Sequence, residues 1–146
     1  GVEGVVVGFL DKFNRVEKDR LREIVSIAGE MEVTFHKAFD VSENLEESLE
    51  AIIECGCDRI LTSGGCKTAY EGRFVIGRLI EKAAGRIKIL AGGGVNPDNV
   101  LDIISDSGCT EVHFSAKAKV TGANGNSHFE SSAQTIINII SKTAEL

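Results

Sequence analysis

Proline occurs once in 146 residues, a scarcity that excludes a collagen-like chain. Long apolar runs are missing too. The longest are short stretches such as Gly4-Val5-Val6-Val7-Gly8-Phe9, far below the ~20 residues that a membrane-spanning helix requires. Positive charge is scarce: 16 Lys and Arg face 22 Asp and Glu, for a net charge of −6 and a pI near 5.1. Nucleic acid is therefore not an expected partner, because a phosphate backbone calls for a basic face. Cysteine occurs four times, at Cys55, Cys57, Cys66 and Cys109. A chain of this size folds without disulfides, and the spacing matches no zinc ribbon or finger. Free thiols in a reducing cytoplasm are expected. No secretory signal precedes the first apolar run, and the chain opens on Gly1 rather than Met, so upstream residues are expected.

What remains is an ordinary globular mixture, 42% apolar and 26% charged. It holds enough apolar material for one packed domain and too much for a disordered chain. One pattern recurs five times. Short β-branched runs at 4–9, 32–39, 59–63, 87–91 and 110–116 each end in glycine or a small polar residue, and an amphipathic stretch follows. The stretch at 18–28 carries Leu21, Ile24, Val25 and Ala28 at helical spacing. The next, at 44–55, carries Leu45, Leu49, Ile52 and Ile53, and the one at 70–84 carries Phe74, Ile76, Leu79 and Ile80. Pro97 opens a fourth helix behind Asn96 as its cap, and Gly108 closes it. A last helix over 131–144 presents Ile136, Ile137 and Ile140.

Strand–helix alternation reads as α/β with a parallel sheet. Strand starts at 4, 32, 59, 87 and 110 set a unit of about 27 residues. Two architectures fit. One is a complete five-stranded, doubly wound open sheet. The other is a single domain over 1–146 forming about five βα units of a (β/α)8 TIM-type barrel, whose full form takes ~250 residues and leaves about three units outside this chain. The strand faces favour the barrel. Val33, Phe35 and Phe39 share one face, with Thr34, His36, Ala38 and Asp40 opposite; Val112 and Phe114 likewise oppose His113 and Ser115. A central strand of a doubly wound sheet is apolar on both faces, whereas one small or polar face suits a barrel lumen.

Four segments occur in order: Thr34-Phe35-His36-Lys37-Ala38-Phe39-Asp40, Leu61-Thr62-Ser63-Gly64-Gly65, Ala91-Gly92-Gly93-Gly94-Val95, and Glu111-Val112-His113-x-Ser115-Ala116. Together they resemble the signature of the CutC family of copper homeostasis proteins, and the opening Gly-Val-Glu-Gly-Val-Val-Val-Gly resembles that family's fourth barrel strand. The resemblance covers residues 1 to about 117. It implies a (β/α)8 barrel, a cytoplasmic location, homo-oligomers, and copper homeostasis through copper(I) binding or trafficking. Two features depart from the family. Lys37 stands where the family usually has Arg, which loses a bidentate fork. The first three strands, with the cysteines proposed to hold Cu(I) in family members, have no counterpart here.

In a parallel barrel the functional face lies at the C-terminal ends of the strands. His36, Asp40 and His113 reach that face and are the candidate catalytic residues, since imidazoles and a carboxylate can exchange protons near neutral pH or hold a metal. Ser63, Gly64, Gly92, Gly93, Gly94 and Ser115 are the candidate ligand- or phosphate-binding residues. Glycines let backbone N–H groups approach an anion, and the last two loops of such barrels commonly do so. Of the cysteines only Cys66 falls on this face, as the one candidate metal ligand; Cys55, Cys57 and Cys109 precede strands and read as small buried thiols. Two functions follow: copper(I) handling, or an enzyme acting on a phosphorylated or other small anionic substrate with His36 and His113 as acid and base. An opened barrel exposes two strand edges, so the chain is expected to associate.

Overall fold

The computed structural model describes residues 1–121 and 126–144. Five strands, β1 (Gly4–Val7), β2 (Glu32–Phe35), β3 (Arg59–Thr62), β4 (Lys88–Gly92) and β5 (Glu111–His113), lie side by side in chain order, each pair of neighbours parallel. Between them run helices α1 (Lys18–Ala28), α2 (Leu45–Glu54), α3 (Ala69–Ala83) and α4 (Val100–Ser107). Crossovers between parallel strands are right-handed, so a chain that adds every strand on the same side keeps all its helices on one face. A doubly wound sheet reverses its direction of growth at a switch point. No reversal occurs among these strands, and the architecture is the partial barrel rather than the open doubly wound sheet.

The register separates the two faces. One set of rows aligns Val7, Phe35, Ile60 and Ile89, then Thr62, Ala91 and Val112. Phe35, Ile60, Thr62 and Ala91 in these rows are fully buried, packed with Leu21, Leu49, Ile52, Ile76, Leu79, Val100 and Ile103 from the helices. Burying each such Leu, Ile or Phe contributes about 1.5–3 kcal/mol. The other rows align Val6, Thr34, Arg59 and Lys88, then Leu61, Leu90 and Glu111. This is the lumen face, and Val6 on it is 64% exposed. Near its N-terminal end Arg59 donates to both carboxylate oxygens of Glu111 and, at 2.8 Å, to Glu32, while Lys88 flanks both acids. That charge ladder crosses four strands, and spacing along the sequence carried no sign of it.

Local differences from the sequence expectations have physical causes. The second strand ends at Phe35 instead of continuing to 39, because His36 Nδ1 accepts the Ala38 N–H at 3.1 Å and caps a 3-10 turn, Lys37–Val41. The turn buries Phe39 completely and swings Asp40 toward the end of β3. The fifth strand ends at His113, before the left-handed Ala116 with φ +47°. The fourth helix begins at Val100, three residues beyond Pro97, because Asn96 and Asn99 exchange bonds around an intervening turn. Gly108 closes it with φ +70° as expected. Phe74 faces outward, 56% exposed, with Arg73 between it and Tyr70. A hairpin of β6 (Lys117–Thr121) and β7 (Ser127–Ser131) precedes the last helix, α5 (Ala133–Thr143). That helix buries Ile139 and leaves Ile136, Ile137 and Ile140 exposed, the reverse of the face expected.

Candidate functional site

The C-terminal ends of β2 and β3 meet at Asp40. Its side chain is 8% exposed and is ringed by donors. Oδ1 accepts from the Thr62 hydroxyl, the Ser63 N–H at 3.0 Å and the Gly65 N–H at 2.9 Å; Oδ2 accepts from Lys37 Nζ at 2.6 Å and faces Ser63 Oγ at 2.9 Å. Burial pushes the carboxyl's pKa upward, but the bonds from Lys37, Thr62, Gly65 and Ser63 outweigh it and hold Asp40 below the usual carboxylate range. The Ser63 hydroxyl accepts a bond from Lys37 Nζ and has one proton for Asp40 or for the Cys66 carbonyl oxygen at 2.6 Å. The Gly64 N–H donates to Thr62 Oγ1 at 2.8 Å. The loop after β3 thus closes around an internal carboxylate. Ser63 and Gly64, expected among the ligand-binding residues, have those groups engaged within the protein.

Close packing fixes this loop. A Cβ on Gly72 of α3 would come 1.9 Å from the Ser63 carbonyl oxygen, so only glycine lets the helix lie against the strand end. Thr68 and Glu71 form a reciprocal capping box that starts α3 there. The Thr-x-x-Glu spacing of this box is legible in the sequence.

The proposed acid–base set does not assemble. His36 is half-buried, its ring close over Gly8, where a Cβ would come 2.4 Å from Cε1. Nδ1 accepts the Ala38 N–H, which leaves Nε2 as the ring nitrogen turned away from that bond. His113, exposed at the end of β5, lies three strands along the sheet and shares no hydrogen bond with His36. Asp40 bonds to the β3 loop and Lys37, and to neither imidazole.

On β4 the glycine turn follows the strand directly. Gly92 is buried beside the Leu61 and His113 side chains, and Gly93 and Gly94 take φ +109° and +71°. Lys37 Nζ lies over this turn, 3.2 Å from where a Gly93 Cβ would be. Ser115 is exposed just beyond β5. Cys66 is half-buried at the mouth, 3.7 Å from the Gly64 carbonyl oxygen, with no second thiol beside it. Cys55, Cys57 and Cys109 are buried on the helix side and at the strand bases, and burial pushes the Cys57 thiol up to about 12. Among the described residues no group of three His, Cys, Asp or Glu side chains is placed to hold a metal ion.

Fold and mouth define a partial (β/α)8 barrel with a polar, glycine-edged opening at its strand ends. The chain belongs to the CutC family, whose model matches residues 1–118. It is similar to a family protein CutC of Histophilus somni, 44% identical over 128 residues, which cover 87% of this chain and 53% of that relative. It spans about half the length of the curated relatives it matches. Among solved structures it resembles the CutC protein of Streptococcus agalactiae, named for copper homeostasis, at 28% identity and a TM-score of 0.71, over 76% of this chain and 55% of that one. An aldolase designated QR15 shares the fold at 23% identity and a TM-score of 0.60, over 77% of this chain and 54% of the aldolase.

Proposed function

We propose that this chain serves copper homeostasis in the cytoplasm, as part of a homo-oligomeric CutC-type barrel, and that its working site is a mouth that binds a small anionic ligand. The observation that carries this reading is the glycine turn after β4, open to solvent at Gly94 and overlain by the Lys37 ammonium. A cation beside a free amide at the end of a barrel strand is the chemistry of an oxyanion site. His36 at the end of β2 and the exposed His113 at the end of β5 are each suited to contact a bound ligand.

Copper(I) binding is the second reading, favoured by Cys66, the one thiol at the mouth. Cu(I) prefers thiolates, and a lone one needs a soft ligand from elsewhere in the assembly. Thermal denaturation in inorganic phosphate at constant ionic strength tests the first reading, which expects a rise in Tm at millimolar concentration and is refuted by none. Anaerobic Cu(I) competition with the wild type and Cys66→Ser tests the second, which requires tight binding that the variant loses.

A further inference from the structure

Lys37 stands at the centre of the mouth. Its side chain leaves the end of β2, crosses the end of β3 at Ser63 and brings Nζ against the glycine turn of β4. Gly93 leaves the room for it. A Cβ there would stand 3.2 Å from Nζ and 3.4 Å from Ser63 Cβ, and φ of +109° at Gly93 disfavours any side chain.

An ammonium has three N–H donors. One goes to Asp40 Oδ2 at 2.6 Å and a second to Ser63 Oγ. The third has no acceptor among the described residues, and 41% of the side chain is exposed. Beside it, the Gly94 N–H donates to no acceptor outside the sheet ladder among the described residues, while the Gly93 N–H adjoins the β4–β5 ladder, where Gly92 is in register with His113. Asp40 meanwhile is nearly buried and tied to the end of β3 by the Thr62 hydroxyl and the Ser63 and Gly65 N–H groups, so it cannot follow the lysine if Nζ moves. It holds the cation in place through the 2.6 Å ion pair, which makes Lys37 an electrostatic anchor of the mouth.

We infer that Lys37 is the anchoring cation of the mouth, with Asp40 as its positioning residue. Its free N–H and the Gly94 amide take the oxygens of a phosphate monoester or of phosphate itself. This rests on the anion-binding reading above and adds to it the cation and the ligand class. A lysine binds as a point charge, and donors separated on two strand ends match the several oxygens of a tetrahedral group better than the flat pair of a carboxylate.

The test is a titration of the isotope-labelled chain with inorganic phosphate, glycerol phosphate or acetate at constant ionic strength, following the Gly94 amide and the Lys37 Nζ signal. Both phosphates should move both signals saturably, and acetate should bind at least fivefold more weakly. Lys37→Met should weaken phosphate at least tenfold, while Lys37→Arg, which keeps the charge, should lose less. Gly94 shifts that saturate alike in wild type and Lys37→Met would overturn the role of Lys37 and leave the anion site standing. No saturable shift in the wild type would overturn both. Acetate binding as tightly as phosphate would overturn the ligand class. Should Lys37→Met lose its native spectrum, the wild-type Nζ signal decides: movement with phosphate supports contact, and a signal that stays still while Gly94 moves refutes it.

Discussion

Replacing Asp40 by alanine should destabilise the chain by about 3 kcal/mol, and the sum can be worked donor by donor. The substitution strips an acceptor from the Ser63 N–H, the Thr62 hydroxyl and the Gly65 N–H. Ser63 and Thr62 are fully buried, so water cannot replace what they lose. An unsatisfied buried donor costs about 1–3 kcal/mol, and two of them set a range of about 2–6. Gly65 is exposed and rehydrates. Lys37, at 41% side-chain exposure, does so in part, and its ion pair is discounted accordingly. Asp40→Asn keeps one carbonyl oxygen of the same reach and should cost about 1 kcal/mol. Urea unfolding with an unchanged m-value measures both, and the alanine variant should lose roughly 9 °C in Tm. A loss below about 1 kcal/mol for alanine, or equal losses for alanine and asparagine, would refute the claim that this carboxylate organises the β3 loop.

Other perturbations follow from single distances. Gly72→Ala places a methyl 1.9 Å from the Ser63 carbonyl oxygen and must push α3 off the strand; a loss of about 3 kcal/mol or failure to fold is expected, checked by circular dichroism and urea titration. Gly8→Ala drives the His36 ring aside, so the ring proton shifts of His36 should move while those of His113 stay. Arg59→Met leaves Glu32 and Glu111 with only Lys88 between them; with Arg59 15% exposed, it should cost more stability than Lys88→Met, measured by chemical denaturation. Because the Asp40 carboxyl titrates below its usual range, the unfolded chain binds more protons than the native one as pH falls past 4. The stability that Asp40 adds over Asp40→Asn should be complete above about pH 5 and shrink as pH drops through the lowered folded value.

Much of the barrel was legible because its signals are local. Five β-branched runs at a unit of about 27 residues, each with a helical stripe after it, define parallel strands on one winding. The helical faces of α1 and α2 held, since Leu21, Ala28, Leu49 and Ile52 are buried as the spacing requires. Where the pattern misled, tertiary context decided. Phe74 obeys helical spacing yet faces outward, because Arg73 beside it pairs with Asp106 of α4 and lies under both aromatic rings. In α5, Ile139 alone meets the core, although three other isoleucines form the wider stripe. The candidate site was legible as a set of strand ends but not as a set of contacts. His36, Asp40 and His113 were grouped by alternation along strands, and the 3-10 turn at Lys37–Val41 broke that alternation by directing Asp40 across to Ser63. Lys37 was visible only as a departure from a family pattern; its reach over Gly93 depends on the curvature of three neighbouring strand ends, which no spacing in the chain encodes.

Calorimetric titration of inorganic phosphate into the 146-residue chain, against a sodium chloride blank of equal ionic strength, tests the central claim most directly. The account predicts saturable one-to-one binding in the millimolar range that Lys37→Met weakens at least tenfold. Heat that matches the chloride blank throughout would contradict it and remove the mouth as an anion site.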